Sequence, residues 1–304
     1  MALRIATFNV KDLFDATDEA SRRNLDLKLT WLAAMVKRLD PDVLGLQEVG
    51  SVAVVRELMA RAFGGSFAEP LMGTRDARGI GNALVARVPI LASRVHTSDQ
   101  LEFPRFHASD PPPFGGRLPL RRGVVHARVD GGALGEIDVL VAHFKSRRAT
   151  PMIGEDGAPV GATTARHRAE GELRALVWRA SEALFVRGLV DQVAAERAYA
   201  KVAVVGDLND GPESLVVKIV KGSSSDPGSL CASAELVDAQ HRYSILHGGA
   251  KGHLDHILVS ESLRAHTTGA MFLNDQLREH PSVSEPGAPP TVDSDHAPLV
   301  ACFE

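Results

Sequence analysis

The apolar run Val202-Ala203-Val204-Val205 is stopped abruptly by Gly206-Asp207-Leu208-Asn209-Asp210-Gly211-Pro212. So short a run, entered from Lys201 and closed by glycine, acids and proline, reads as a buried strand. Its polar residues begin where the strand ends. Side chains alternate along a strand, so Asp207 and Asn209 project to the same side if the extended conformation continues past Gly206. That sets a carboxylate beside an amide at a sheet edge, a pair suited to chemistry on an oxyanion. The same residues also make an ordinary acidic turn, since Asp, Asn, Gly and Pro are the usual turn formers.

The pattern recurs along the chain. Leu3, Ile5 and Thr7 alternate with Arg4, Ala6 and Phe8 in a first strand that ends at Asn9. Leu25, Leu29, Leu32, Val36 and Leu39 follow helical spacing up to Asp40-Pro41, and Val43 to Val49 forms a second buried strand with Glu48 near its end. A helix over about 52–62 and a strand over 80–86 come next. Residues 97–120, rich in proline and glycine, form a long loop closed by Arg121 and Arg122. Val124 to Val129 and Glu136 to Phe144 pair as a hairpin in which Val139, Val141 and His143 share a face. An irregular stretch over 145–164 precedes a helix over about 170–193. Leu254 to Val259 alternates with Asp255, Ile257 and Val259 on one side, and the last strand, 297–303, is entered through Asp293-Ser294-Asp295-His296. Neither an internal repeat nor a shift in composition divides the chain, so residues 1–304 are expected to form a single domain.

Composition narrows the function classes. At 304 residues, with 44% hydrophobic and 24% charged content, the chain can bury the core of a globular enzyme. A net charge of -4 gives no global attraction to nucleic acid, so a polyanion would be met by local basic patches or through bound cations. Such patches exist: Arg121 and Arg122 precede His143, and Lys145, Arg147, Arg148, Arg166 and Arg168 follow it. Cys231 and Cys302 are the only cysteines and supply neither a disulfide framework nor a thiolate metal cluster. No stretch is long and apolar enough to cross a bilayer, so no membrane partner is expected. The first ten residues run straight into a strand pattern. The expected location is therefore cytoplasmic for the sequence as given, and secreted if a leader precedes it. No obligate protein partner is implied, and a monomer is expected.

Asn9, Glu48, His143, Asp207, Asn209, Asp255, Asp295 and His296 all fall at strand ends or edges. Each has an ordinary explanation alone, as a solvated strand end, a satisfied core histidine or a salt-bridge partner. Open α/β folds, however, build their sites where strand ends converge. An oxygen-rich cluster there suits a hard cation, Mg²⁺ or Mn²⁺, rather than structural zinc.

Six segments, in order, then carry a resemblance. They are Thr7-Phe8-Asn9-Val10, Leu46-Gln47-Glu48-Val49, Val141-Ala142-His143-Phe144-Lys145-Ser146, Gly206-Asp207-Leu208-Asn209-Asp210, Leu254-Asp255-His256-Ile257-Leu258 and Ser294-Asp295-His296-Ala297-Pro298. Together they are similar to the successive motifs of the endonuclease/exonuclease/phosphatase superfamily. Asn9 to Asp15, Arg78-Gly79-Ile80 and His143-Phe144-Lys145-Ser146 further resemble its bacterial nuclease branch. The resemblance implies a four-layer α/β sandwich, two facing mixed β-sheets flanked by helices, and metal-dependent hydrolysis of a phosphate ester. By the same resemblance Glu48 binds the metal, with Asn9 and Asp295 as nearby metal or phosphate contacts. Asp207 activates or orients the attacking water, and Asn209 holds the phosphate or nucleophile. His296 paired with Asp255 stabilises the transition state, while His143 meets a phosphate oxygen. Arg121 or Arg122, with Lys145, contacts the substrate. Lys11 departs from the pattern, standing where some relatives carry an acid near the metal; Leu208 replaces a frequent phenylalanine. A nuclease acting on DNA, or RNA, is the leading expectation. The alternatives are a phosphatase or phosphodiesterase on a small or lipid phosphate, of the inositol phosphate or sphingomyelin type, and a binding protein that kept the fold without catalysis.

Overall fold

The structure, a computed structural model, describes residues 2–107, 109, 111, 118–280 and 291–304. The chain opens with β1 (Leu3–Leu13), α1 (Glu19–Leu39), β2 (Val43–Val49), α2 (Val52–Phe63), β3 (Leu71–Met72), β4 (Gly81–Ala86) and β5 (Ile90–His96). Its middle contains β6 (Val124–Asp130), β7 (Glu136–His143), β8 (Met152–Ile153), β9 (Pro159–Val160), α3 (Ala165–Glu196), β10 (Lys201–Asp207) and α4 (Leu215–Lys221). The remainder is β11 (Leu230–Ala232), β12 (Ile245–His247), β13 (Ala250–Gly252), β14 (Asp255–Ser260), α5 (Glu261–Arg264), β15 (Thr267–Phe272) and β16 (Leu299–Phe303).

Two six-stranded sheets run in the orders β15-β16-β1-β2-β4-β3 and β11-β14-β10-β7-β6-β5. Both are mixed: β1 with β2 and β10 with β7 are parallel, while their other pairs are antiparallel. Three apolar layers result. One lies between the sheets and contains Ile5, Val139, Val141, Ala203, Val205, Ile257 and Val259. A second seals α1 and α2 onto the first sheet, and a third seals α3 and α4 onto the other. This is the expected four-layer α/β sandwich.

The site follows from the inter-sheet layer. Along β1, β7, β10 and β14 the inward positions read Leu3-Ile5-Thr7-Asn9, Val139-Val141-His143, Ala203-Val205-Asp207 and Val259-Ile257-Asp255. Each row is apolar through the core and turns polar at one end of the sandwich. Register places those ends together, since Asp207 pairs with His143 on one side and with Asp255 on the other.

Local chemistry explains where elements begin and stop. The first helix starts earlier than its apolar spacing indicates, at Glu19, because Asp18 and Ser21 form a reciprocal capping box. The first strand continues past Asn9 to Leu13, with its pairing interrupted where Lys11 and Asp12 take positive φ. β5 carries no apolar pattern, being exposed along Leu91–Val95, and is held by pairing with β6. The irregular stretch 145–164 contains the short hairpin of β8 and β9. Of the loop expected over 97–120, residues 108, 110 and 112–117 lie outside the described residues.

Candidate functional site

Asp207, the last residue of β10, is the centre of the polar cluster. Gly206 before it has φ 146°, and a Cβ there would sit 1.8 Å from the Ala142 carbonyl oxygen, so only glycine lets β10 run this close to β7. Asp207 and Asn209 do come together, but by a turn and not by continued extension. Asn209 has φ 53°; its backbone N–H donates to Asp207 Oδ1 at 2.9 Å and its amide to Asp207 Oδ2 at 3.2 Å. The Asn209 amide also donates to the Phe144 carbonyl at 3.0 Å. From the opposing sheet, Asn9 Nδ2 donates to Asp207 Oδ2 at 3.0 Å and to Glu48 Oε1 at 3.2 Å.

Two histidines flank the carboxylate. His296 Nδ1 lies 2.7 Å from Asp255 Oδ2, and its Nε2 lies 3.9 Å from Asp207 Oδ2. Burial opposes charging this ring, but the Asp255 and Asp207 carboxylates reverse that and hold its pKa well above the usual histidine value. Asp207 is pushed up, first by burial and then by Asp255, with His296 acting against them. His143 Nε2 lies 3.5 Å from Asp207 Oδ2. Its own pKa is driven well down by complete burial and by Arg122, so the ring is neutral.

Glu48 faces this group from the first sheet. Its Oε1 accepts from Asn9, and its Oε2 accepts from the Asp12 backbone N–H at 3.1 Å. Glu48 has φ 63°, so with Lys11, Asp12 and Asn209 it makes four non-glycine residues in left-handed backbone around one centre. Burial and the Glu48 charge raise the pKa of Asp12. Two carboxylates that repel one another are hard oxygen donors fitted to a divalent cation. Ligand atoms of Asp207, Asp255 and His296 also lie within 4.8 Å of one another. That trio is the poorer metal site, because a doubly protonated imidazole has no lone pair to give. Asp295, expected near the metal, ion-pairs with Lys11 at 2.8 Å.

The basic residues divide. Arg122 is buried, donating to the carbonyls of His143 and Phe144 and ion-pairing with Asp76 at 3.2 Å, so it braces the strand end. Arg121 is the more accessible of the two, lying over the Trp178 ring at 5.4 Å and 3.6 Å from Asp76. Lys145 is buried with its ammonium on the carbonyls of Ser146 and Arg148, which turns it into its own loop.

Several participants escaped the motif reading. Asp76 gathers Arg78, Arg121 and Arg122 beside His143; its signal was the turn Asp76-Ala77-Arg78-Gly79, in which Asp76 caps the backbone of Arg78 and Ile80. Glu182, buried in α3 with a pKa raised to about 7 by burial, accepts from the Lys145 backbone N–H at 2.5 Å. Lys28, pushed down to about 8 by burial, stands near Asp12; a lone lysine on the apolar face of α1 was its mark. His256 binds the Asp210 carbonyl at 2.8 Å, and Arg179 and Arg147 hold the Asp210 carboxylate, which fixes the turn carrying Asn209.

A model of the Endonuclease/Exonuclease/phosphatase family matches residues 6–296. Among solved structures, an endonuclease/exonuclease/phosphatase from Bacteroides vulgatus is 18% identical, with 100% of this chain and 99% of that chain covered and a TM-score of 0.61. The mannosyl-6-phosphatase of Bacteroides thetaiotaomicron is 18% identical over 98% of each chain, with a TM-score of 0.61. TDP2 of D. rerio, solved with a single-strand DNA product, is 17% identical over 100% of this chain and 99% of that one, with a TM-score of 0.59. No curated protein matches the sequence. Identities this low show a shared fold.

Proposed function

The chain belongs to the endonuclease/exonuclease/phosphatase family of metal-dependent phosphoester hydrolases, and on that footing we propose that it is a phosphodiesterase that cleaves DNA by in-line attack of water on the phosphate. The observation that carries the reading is the meeting of Asp207 with Asn9 and Asn209 as donors, His143 to one side and the Asp255-bound His296 to the other. In this reading Asp207, held by three donors, orients the water and takes up its proton. His296, protonated and fixed by Asp255, presents Nε2–H to the charge that grows on the phosphate oxygens. Neutral His143 donates to a further oxygen. Glu48, with Asp12 and Asn9, would hold a divalent cation, which when bound neutralises phosphate charge as a Lewis acid.

DNA is preferred among substrates because exposed and half-buried arginines border this end of the sandwich. Arg147 projects from the loop after β7 and pairs with Asp210, Arg148 follows it, and Arg78 and Arg121 stand beside His143. The competing reading is hydrolysis of a small phosphate ester. It is favoured by the way Asp76 absorbs part of the arginine charge, and by the mannosyl-6-phosphatase among the neighbours of the fold. Chelated protein, re-supplied separately with Mg²⁺ and Mn²⁺, should be assayed on plasmid DNA, RNA, inositol phosphates, a mannosyl 6-phosphate and sphingomyelin. The expected result is loss of all activity on chelation and recovery mainly on DNA. Faster turnover of a small phosphate would replace the nuclease reading, and full activity without metal would overturn both.

A further inference from the structure

The helix-covered face of the second sheet carries a polar group that this chemistry does not use. His126 on β6 lies with Nε2 2.9 Å from Asp138 Oδ1 on β7, and Asp138 is fully buried. A carboxylate only accepts, so His126 carries its proton on Nε2 and keeps a lone pair on Nδ1. That Nδ1 stands 3.1 Å from Nε2 of His96, at the end of β5. Both rings open onto a cleft of about 190 Å³ whose opposite wall, from the last turns of α3, presents Gln192 and Glu196. Burial first, and neighbouring positive charge second, push each imidazole down to about 4, so both are neutral near pH 7.

We propose that His96 and His126 form a second metal site, which takes a borderline divalent cation of the Zn²⁺ type, with Asp138 orienting His126 and the exposed side chain of Glu196 turning in from the opposite wall as a third ligand. Two nitrogens bound at about 2.05 Å to one tetrahedral Zn²⁺ stand about 3.3 Å apart, so the pair at 3.1 Å is nearly at the separation the ion needs. Without the ion, the Nε2 proton of His96 bridges the two rings. On binding, it moves to Nδ1 of the same ring, so charge and protons balance with no release. A buried carboxylate on the far nitrogen is the arrangement that fixes the tautomer of a metal-bound imidazole. The arginines that act on the two rings have acidic counterparts. Arg128 and Arg197 are matched by Asp138 and Glu136, and Arg94 faces the cleft together with Glu196. Donor chemistry separates this site from the oxygen cluster at Glu48, since Mg²⁺ gains little from two nitrogens.

Zn²⁺ binding should be followed by calorimetry in excess Mg²⁺, on the wild type, His96→Gln, His126→Gln and Glu48→Gln, each checked for folding by circular dichroism. The wild type and Glu48→Gln should bind one Zn²⁺, and Co²⁺ put in its place should show the visible absorption of a tetrahedral nitrogen-bearing site. Each histidine variant should bind at least ~100-fold more weakly, and Asp138→Asn about 10- to 100-fold more weakly. His96 is half-exposed at a strand end, so its variant remains informative should His126→Gln or Asp138→Asn fail to fold. Unchanged Zn²⁺ affinity in folded His96→Gln would overturn the proposal. So would absence of Zn²⁺ binding by the wild type, or its loss in Glu48→Gln alone.

Discussion

Asp207 illustrates how far a single side chain depends on its neighbours. Burial and the Asp255 charge push its carboxyl up to about 7, while the positive His296 ring first, and the donors on Asn209 and Asn9 after it, act to keep it ionised. Asp207→Asn keeps the volume and removes the proton acceptor, so single-turnover hydrolysis should fall by at least ~10²-fold with circular dichroism unchanged. Folded Asp207→Asn turning over near the wild-type rate would refute its role. His296→Ala should cost a comparable factor, and the double variant Asp255→Asn/His296→Ala should be little worse, because Asp255 acts through the ring it holds at 2.7 Å. Additive losses would break the pair. At this scale the sequence was a good guide to residue types and a poor one to direction. Asp207, Asp255 and His296 stand where the motifs placed them, whereas Lys145 and Arg122 are turned onto backbone carbonyls, a matter of side-chain rotation that one-dimensional spacing does not record.

Among elements, the strands were legible because buried strands in a sandwich must be apolar or alternating, and β1, β2, β7, β10 and β14 are. β5 was not, since its exposed face gives it no period. α3 was read short at both ends because apolar residues lie on both its faces: Leu173 and Leu176 are exposed while Val186 and Val190 are buried. The junction of β10 with β7 is the element-scale feature most open to test. Gly206→Ala forces a Cβ against the Ala142 carbonyl and a positive φ on alanine, so urea unfolding should show a loss of more than ~3 kcal/mol. A loss below ~1 kcal/mol would mean that the two strands separate without cost.

For the molecule as a whole, the sandwich could be anticipated, but the donation from Asn9 in one sheet to Asp207 in the other could not. It depends on how two sheets are stacked, which no local pattern encodes. The fold buries His143, His253 and His256 uncharged, with burial the first cause in each and His253 pushed down to about 3. For a histidine whose folded pKa is depressed, the unfolded chain binds the proton first. Stability is therefore lost as pH falls from about 6.5 toward the folded values. His296 has the opposite sign: its contribution is complete below about 6.5 and disappears only in alkali. Between pH 7 and pH 5, the unfolding free energy of the wild type from urea titrations should thus fall by roughly 2 kcal/mol relative to that of His253→Gln. Parallel profiles for the wild type and folded His253→Gln would show that this ring is not buried neutral.

The first sheet is closed by β16 lying against β1, with His296 three residues upstream of it. During synthesis, Asn9, Glu48, His143, Asp207 and Asp255 are all joined to the chain before His296. A nascent chain would therefore hold every other part of the cluster yet lack its protonated ring. Hydrolytic capacity would arise only after nearly three hundred residues have been joined. For a phosphoester hydrolase, the order of translation itself delays activity.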